Sequence, residues 1–223
     1  MNTPTELADT SCGFIALVGA PNAGKSTLLN ALVGTKVSIV THKAQTTRSQ
    51  VRGVLTLDQA QLVFVDTPGI FAPKKRLERA MVENAWGGAG DSDIVAFIID
   101  ADRGVTPEIE TLIEGLENIR QPKVLIINKI DAVKHESLLA LSQSLNDRLR
   151  FEATFMLSAL KGHGVQDFID WCVKHIPPGP WHFPEDHLTD LTMAITAAEV
   201  TREKLFLRVH DEIPYNATVE TES

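Results

Sequence analysis

The stretch GAPNAGKS at residues 19–26 constrains this chain more than any other, because it matches the pattern G-x-x-x-x-G-K-[ST] of a phosphate-binding loop. It follows the apolar run FIALVG and precedes a sequence with helical spacing, which is the strand–loop–helix context that such a loop requires. Glycines let the backbone wrap phosphates so that N–H groups point inward, at the positive end of the following helix. The stretch therefore predicts a nucleoside phosphate site rather than a glycine-rich turn that binds nothing.

Individual residues of this loop have distinct predicted roles. Lys25 is expected to reach the β and γ phosphates, and the Ser26 hydroxyl to bind Mg²⁺. The predicted nucleotide-binding residues of the loop are Gly19, Asn22, Ala23, Gly24, Lys25, Ser26 and Thr27.

Short apolar runs rich in Val and Ile alternate with amphipathic stretches along the first three quarters of the chain. The runs predict strands buried on both faces, and the stretches predict helices. The predicted strands begin near residues 14, 61, 93, 123 and 153, and the predicted helices span residues 24–34, 76–86, 106–119, 135–149 and 165–176. This alternation predicts an α/β fold with a mostly parallel sheet and helices on both faces, with the ligand at the carboxyl ends of the strands.

The stretch DTPG at residues 66–69 ends the second apolar run. In a phosphate-loop hydrolase an aspartate here can hold Mg²⁺ through water, which is the predicted role of Asp66. Gly69 can turn its N–H toward a γ phosphate and lose that contact on hydrolysis, so the segment after it is a predicted switch. Thr67 and Pro68 complete the predicted nucleotide contacts of this motif. The next residue, Ile70, has an aliphatic side chain that can neither hold nor activate water.

The stretches NKID at residues 128–131 and SAL at residues 158–160 follow two later strands. A carboxylate can accept both the N1 and the exocyclic N2 hydrogens of guanine, and adenine lacks this donor pair, so Asp131 is the predicted base selector. Asn128 is expected to brace the loops, and the Lys129 stem to cover one face of the base. The backbone N–H of Ala159, between Ser158 and Leu160, is expected to meet guanine O6.

The four motifs in this order resemble translation-factor-type GTPase domains with a Ras-like fold, over residues 14–176. The resemblance implies a six-stranded sheet in which only the second strand, near residues 49–57, runs antiparallel. It also makes residues 34–53 the first switch, where Thr47 of QTTR would complete the Mg²⁺ shell. Thr46 is the alternative ligand, and a polar turn is the alternative for the whole motif.

The stretches SIVTHKAQTTR, GAPNAGKSTLLN, DTPGI and NKID together resemble the Era family of bacterial GTPases, in the TRAFAC (TrmE-Era-EngA-like) class. Residues 197–220 look like the opening of that family's KH-type RNA-binding domain. The resemblance implies a flexible tail at residues 1–12, a GTPase domain at 13–177, a Pro-rich linker at 178–187 and a partial KH-like segment at 188–223. A KH fold binds nucleic acid with a GxxG loop. The sequence has no GxxG after residue 188, so we expect a truncated chain.

The resemblance implies a GTP-binding and GTP-hydrolysing switch that acts in small ribosomal subunit assembly and 16S rRNA maturation. RNA binding is expected to be weak or absent in this chain, since its net charge is −8 and acidic residues outnumber basic ones after residue 188. The alternatives are another TRAFAC enzyme, such as a tRNA-modification GTPase, and a nucleotide-gated scaffold with negligible hydrolysis. A basic run at residues 74–76, with Arg79, could report the nucleotide state to a partner or could be a solvated loop.

Catalysis is expected to rest on positioning and charge neutralisation by Lys25, Thr47, Asp66 and Gly69. Ile70 stands where Ras-like proteins carry a Gln that orients water, so we expect a slow intrinsic rate. Related GTPases with an Asn at the position of Asn22 bind K⁺ near the phosphates, which implies K⁺ stimulation here. The alternative for Asn22 is a loop-stabilising side chain.

Composition places the chain among ordinary soluble proteins, with 43% hydrophobic and 22% charged residues and no apolar run long enough to span a bilayer. Cys12 and Cys172 are isolated, so we expect reduced thiols in a cytoplasmic protein, with Cys172 buried on a helix. We expect a monomer. The resemblance leaves open peripheral association with the cytoplasmic face of the inner membrane.

Overall fold

Six strands form one sheet in the order β2-β3-β1-β4-β5-β6. The strands are β1 (Ser11–Gly19), β2 (Val51–Leu57), β3 (Ala60–Asp66), β4 (Ile94–Asp100), β5 (Lys123–Asn128) and β6 (Ala153–Met156). β2 pairs with β3 antiparallel and every other pairing is parallel. The structure is a computed structural model that describes residues 10–40, 50–70, 76–208 and 219–221. It confirms the predicted mostly parallel sheet and the antiparallel second strand.

Helices cover both faces of this sheet. They are α1 (Lys25–Val33), α2 (Arg76–Gly90), α3 (Pro107–Glu117), α4 (His135–Asn146) and α5 (Val165–His175), and a further helix, α6 (Met193–Arg208), follows them in the chain. Helix α3 shows why the boundaries fall where they do, because the Thr106 hydroxyl caps it by accepting the N–H of Ile109 and Pro107 occupies its first turn. The five helices predicted before residue 177 are confirmed, with α2 ending four residues later than expected.

The apolar core lies in two layers, one on each side of the sheet. On one side the sheet packs against α1 and α5, with Leu28, Leu29 and Phe168 fully buried. On the other side it packs against α2, α3 and α4, through Ala85, Leu112 and Leu138 among others. Cys172 is fully buried on α5, as predicted, and burial raises its pKa. Because both faces of β1, β3, β4 and β5 are covered, polar groups at the carboxyl ends of these strands are held on a rigid base.

The amino-terminal boundary of the domain differs from the prediction. Strand β1 begins at Ser11, whose N–H donates to Gln59, and the hydroxyl of Thr10 donates to the carbonyl of Gly179 at 3.0 Å. Residues 11 and 12 are therefore part of an inner strand rather than of a tail, because β3 pairs with them, and Thr10 is held by the chain after α5.

The predicted Pro-rich linker is packed against the same end of the sheet. The buried side chain of Gln61 holds it, because its amide oxygen accepts the N–H groups of His182 and Phe183 at 2.9 and 3.0 Å. The Gln61 amide nitrogen donates to the carbonyl of Phe183 at 2.9 Å. The linker therefore reaches residue 188 along a fixed path.

Residues 188–190 then run beside the outer strand of the sheet. The carbonyl of Leu188 accepts the Val54 N–H at 2.9 Å, and the Thr189 hydroxyl donates to the Arg52 carbonyl at 2.8 Å. The carboxylate of Asp190 pairs with the Arg52 guanidinium at 3.0 Å. These contacts cover part of the exposed edge of β2 and lead the chain into α6.

None of the helices described by the structure has both the length and the apolarity needed to cross a membrane.

Candidate functional site

A cavity of about 550 Å³ opens at the carboxyl ends of the strands, where the phosphate loop meets the later polar motifs. Strand β1 lies between β3 and β4 in the sheet, so the chain leaves it at the point where the strand order reverses, the usual ligand position in such folds. The cavity is within the size range of small-molecule sites. Its wall contains Pro21, Asn22, Gly24, Lys25, Ser26, Thr27, Ile39, Val40, Gly69, Asn128, Lys129, Asp131, Ala132, Ser158, Ala159 and Leu160.

The phosphate loop turns through two left-handed positions. Asn22 has a φ of 64° and Gly24 a φ of 97°, and only the second is occupied by the residue type that adopts this conformation without cost. A Cβ on Gly24 would also lie 2.3 Å from the Nδ2 atom of Asn128. Glycine at this position therefore allows both the turn and the close approach of the NKID loop.

Lys25 is buried beneath this loop, with 6% of its surface exposed. Its ammonium donates to the carbonyls of Gly19 and Ala20 at 3.0 and 2.9 Å. Burial lowers the pKa of Lys25 to about 8, and the nearby charge of Asp66 opposes that shift. The positive charge of Lys25 is therefore unfavourable in free energy while the site is empty, and a bound anion would stabilise it.

Asp66 is fully buried at the end of β3 and receives two hydroxyl groups on one oxygen. Its Oδ2 atom accepts from Ser26 Oγ at 2.6 Å and from Ser38 Oγ at 2.9 Å. A carboxylate and a serine hydroxyl in contact form the oxygen-rich set that Mg²⁺ prefers. Ser38 was not among the residues predicted from sequence, since a serine in a loop carries no motif.

The first residues of the predicted first switch are held by α1 and α6. The side chain of Asn30 accepts the N–H groups of Val37 and Ser38 at 2.9 Å and donates to the Ser38 carbonyl at 2.8 Å. From α6, the carboxylate of Glu203 accepts the Val40 N–H at 3.0 Å and pairs with the Lys36 ammonium.

Burial alone would raise the pKa of Glu203, but the hydrogen bonds from Lys36 and Val40 outweigh it and lower the pKa. Its carboxylate is thereby kept ionised on a side chain with 4% exposure. The carboxyl-terminal helix therefore contacts the wall of the cavity through a charged, buried group.

The DTPG motif divides between the cavity and the core. Gly69 lines the cavity, and a Cβ there would lie 2.9 Å from atoms of Pro21, so this motif packs directly on the phosphate loop. Thr67 is fully buried, with its hydroxyl donating to the Leu17 carbonyl at 2.7 Å, and Pro68 is buried beside it. Both side chains thus anchor the strand end, and the predicted nucleotide contacts of Thr67 and Pro68 stay predictions.

Ile70 also points away from the cavity. It is 4% exposed and belongs to the core layer between the sheet and α2. Its N–H donates to the Gly19 carbonyl at 3.2 Å, which fixes the backbone next to the phosphate loop. The aliphatic residue at this position thus has a packing role.

Asn128 ties the NKID motif to its neighbours, as predicted. Its Nδ2 donates to the Ala23 carbonyl at 2.9 Å, and its Oδ1 accepts the N–H groups of Lys129 and Ala159 at 2.8 and 3.0 Å. The side chain is 1% exposed, so these bonds are shielded from water. One amide therefore joins the phosphate loop, the NKID loop and the SAL loop.

The same contact involves Ala159, which lines the cavity. Its N–H donates to Asn128 Oδ1, and its predicted contact with guanine O6 stays a prediction. Asp131 does line the cavity, and a hydrogen bond from the Ser158 hydroxyl lowers its pKa. The Ser158 hydroxyl thus stabilises the ionised carboxylate of Asp131, the predicted base selector.

The fold brings most of the predicted site residues to the wall of the cavity, and a few lie elsewhere. Gly19, Ala23 and Asp66 lie behind the cavity wall, where Gly19 and Ala23 offer carbonyls to Lys25 and Asn128. Thr46 and Thr47 lie outside the described residues, as do the lysines of the basic run, and their roles stay predictions. Sequence reasoning missed Pro21, at a variable position of the phosphate loop, and Ser38, Ile39, Val40 and Ala132, which are placed by the folding of loops.

The sheet order, the phosphate loop and the polar groups at the ends of β3 and β5 define a Ras-like P-loop GTPase. Comparison with known proteins narrows this class. A family model described as a 50S ribosome-binding GTPase matches residues 14–129. The GTPase Era of Mesorhizobium japonicum is 58% identical over 217 residues, which are 97% of this chain and 70% of that protein.

Two solved structures of Era proteins also match this chain. Era in complex with MgGDPNP and nucleotides 1506–1542 of 16S ribosomal RNA matches with a TM-score of 0.86 and 39% identity, over 92% of this chain and 70% of that one. A variant of Aquifex aeolicus Era bound to GDP·AlF4⁻ matches with a TM-score of 0.85 at the same identity and coverage. The chain therefore belongs to the Era family, and it is a GTP-hydrolysing enzyme.

Proposed function

We propose that this chain is the GTP-dependent part of a switch that acts in small ribosomal subunit assembly and 16S rRNA maturation. The observation that carries the proposal is the likeness, at a TM-score of 0.86, to an Era protein bound to MgGDPNP and a 16S rRNA segment. Residues 188–223 are, in this proposal, the opening of the KH-type RNA-binding domain. A tRNA-modification role has no support from the relatives described above.

The base end of the cavity is assigned to guanine. Asp131 accepts the N1 and N2 hydrogens, and its lowered pKa keeps the carboxylate ionised for this purpose. The Lys129 stem covers one face of the base. The N–H of Ala159 donates to guanine O6. Leu160 also lines the cavity, and its N–H, which donates to none of the described groups, is a second donor at this position.

The other end of the cavity is assigned to the phosphates and their metal. Lys25 leaves the carbonyls of its own loop to contact the β and γ phosphates, whose charge stabilises its protonated form. Ser26 and Asp66 would hold Mg²⁺ here, with Thr47 as the predicted further ligand. The contact between Ser26 and Asp66 supports this assignment. When bound, Mg²⁺ neutralises charge that develops on the phosphate oxygens.

The attacking water is not positioned by the residue after DTPG, since Ile70 is buried in the core. Asn22 is exposed at the cavity wall, where its side-chain oxygen is free to bind K⁺ near the phosphates. We expect GTP turnover to be several-fold faster in K⁺ than in Na⁺, and Asn22→Ala to abolish the difference. Equal rates in the two salts would remove K⁺ from the mechanism.

The switch has a path to the carboxyl-terminal helix. Asp66 binds Ser38, which lies two residues before Val40, and the Val40 N–H binds Glu203 of α6. A change at the phosphate end that moves the Ser38–Val40 segment therefore alters a contact made by α6. This supports a GTP-dependent switch that controls the second domain.

Co-sedimentation of the gene product with purified ribosomal subunits tests the ribosomal role. We expect binding to the small subunit with a non-hydrolysable GTP analogue and weaker binding with GDP. This chain alone should bind less than the protein that continues into a complete KH domain, because residues 188–223 contain no GxxG loop. Binding to the large subunit alone, or to neither subunit, would contradict the proposal.

We also propose that the protein is a cytoplasmic monomer with peripheral association at the inner membrane. Size-exclusion chromatography with light scattering checks the first part, with an expected mass near 24.4 kDa. Cell fractionation in low and high salt checks the second. Release of the membrane-associated fraction by salt is expected for peripheral binding.

A further inference from the structure

Asp100 lies beside the nucleotide cavity and belongs to none of the sequence motifs. It is the last residue of β4 and is paired in register with Asn128, the first residue of NKID. Only 8% of its surface is exposed, so it places a carboxylate at the buried end of the strand next to the base-binding loop. Such a carboxylate is costly unless it has partners.

The partners of Asp100 fix the direction of its carboxylate. One oxygen, Oδ1, accepts the Asp102 N–H at 3.0 Å, and the backbone carbonyl of Asp100 accepts the Gly104 N–H at 3.0 Å. The other oxygen, Oδ2, pairs with the Lys129 ammonium at 2.6 Å. The turn after β4 therefore holds the carboxylate in place, and the carboxylate in turn holds the lysine.

Lys129 is thereby held at both ends. Its backbone is left-handed, with a φ of 63°, and its N–H donates to Asn128 Oδ1 at 2.8 Å. Its ammonium is held by Asp100, while the side chain between them is 39% exposed and lines the cavity. The methylene groups consequently lie along the cavity wall instead of sampling the many rotamers of a surface lysine.

We propose that Asp100 is a positioning residue for guanine nucleotide binding, which acts by holding the Lys129 stem in place as one face of the base slot. This rests on the proposed role of Lys129 against the base. Asp100 itself does not touch the nucleotide. A side chain that is ordered before the ligand arrives does not pay for its ordering on binding, so the pair raises affinity through preorganisation. Asp131 remains the group that recognises the base edge.

A double-mutant cycle tests this inference. In the full chain, Asp100→Asn should weaken GDP binding roughly three- to tenfold, because a neutral amide holds an ammonium less tightly than a carboxylate does. Lys129→Met keeps an apolar stem but removes the ammonium. In the Lys129→Met background, Asp100→Asn should change the GDP affinity by less than about twofold, since the group through which it acts is absent.

Two further measurements separate positioning from damage to the fold. Asp102→Asn alters the exposed neighbouring carboxylate and should leave GDP affinity unchanged. Asp100→Asn should weaken GDP and IDP equally, because IDP lacks the N2 amino group that Asp131 accepts and Asp100 has no part in that contact. An unchanged affinity in Asp100→Asn, or an equal loss with and without the Lys129 ammonium, would overturn the inference. Failure of the unmodified chain to bind GDP would instead overturn the assignment of the site.

Discussion

The two ends of the nucleotide cavity are built differently. At the base end, Asn128, Lys129 and Ser158 are held by contacts between the ends of neighbouring strands and the loops that follow them. At the phosphate and metal end, Asp66 contacts Ser38, whose segment is held by Asn30 of α1 and by Glu203 of α6. The base end is therefore fixed within the GTPase domain, whereas the metal end also depends on a helix that follows it.

This difference separates recognition from switching. A base slot that is braced by buried hydrogen bonds can hold the same base whichever phosphates are present. A metal site whose neighbours are shared between two helices can change when the γ phosphate leaves. The contrast predicts that substitutions at the base end alter affinity for every guanine nucleotide, and that substitutions at the metal end alter responses to Mg²⁺ and to the γ phosphate.

The largest effect is expected for Asn128→Ala. The change removes bonds to Ala23, Lys129 and Ala159 that are shielded from water, so the loss should be about 3 kcal/mol, or more than a hundredfold in GDP affinity. Displacement of a fluorescent guanine nucleotide measures it. Asn146→Ala, at an exposed site on α4, is the matched control and should bind normally. A loss below tenfold would show that the loops are held by other contacts.

Ser38→Ala should affect the response to Mg²⁺. Removing a hydroxyl that donates to the buried Asp66 carboxylate should cost about 1.5 kcal/mol, so the Mg²⁺ concentration that half-maximally slows GDP release should rise roughly tenfold. GDP release in EDTA should stay the same. Ser92→Ala removes a buried hydroxyl that donates to the Ala89 carbonyl far from the metal end, and it should leave the Mg²⁺ response unchanged. A loss of nucleotide binding in EDTA would assign Ser38 a purely structural role.

The pH dependence of binding should follow Lys25. Because burial lowers the pKa of the free protein's Lys25 to about 8 and bound phosphates raise it, binding takes up a proton above pH 8. GDP affinity should fall by up to about tenfold per pH unit from pH 8 upward and be flat between pH 6 and pH 7. Calorimetry in buffers of different ionisation enthalpy measures the proton uptake. No uptake at pH 9 would mean that Lys25 is already charged in the free protein.

Glu203→Gln should weaken the link between α6 and the first switch. The amide still accepts the Val40 N–H but loses the charge that pairs with Lys36, so GDP release in Mg²⁺ should speed up about threefold. Glu185→Gln, at an exposed position of the linker, is the control. If both variants release GDP at the unmodified rate, the metal end does not depend on α6.

The smallest effect on turnover is expected for Ile70→Gln. Since the Ile70 side chain lies in the core, the amide should not orient water, and the hydrolysis rate should change by less than about twofold. The buried amide should lower the free energy of unfolding by about 2 kcal/mol, measured by urea denaturation. A large rise in hydrolysis would show that this side chain can leave the core and enter the cavity.

The sequence predicted the residues that end a buried strand, for a physical reason. Asp66 ends β3 and Asn128 ends β5, so the position of each depends on a short, regular stretch of chain. The six strands and the antiparallel β2 were likewise implied by the family resemblance. Local patterns of this kind are visible in one sequence because the groups are fixed relative to a strand end.

The remaining contacts come from distant parts of the chain. Ser38 meets Asp66, and Glu203 meets Val40, across sequence separations of 28 and 163 residues. Asp100 and Lys129 meet because β4 and β5 are neighbours in the sheet. The bond from the Ala159 N–H to Asn128 was likewise not predicted, since the sequence does not reveal which acceptors one N–H of a loop meets. Such pairings depend on tertiary packing and carry no local signal.

The rate of GDP release with Mg²⁺ and with EDTA tests the contrast between the two ends most directly. The account predicts that Asn128→Ala accelerates release by a similar factor in both conditions, whereas Ser38→Ala accelerates it in Mg²⁺ and leaves the rate in EDTA unchanged. If Asn128→Ala acted only in Mg²⁺, or if Ser38→Ala acted equally in both conditions, the two ends of the cavity would not be separate, and the account would be wrong.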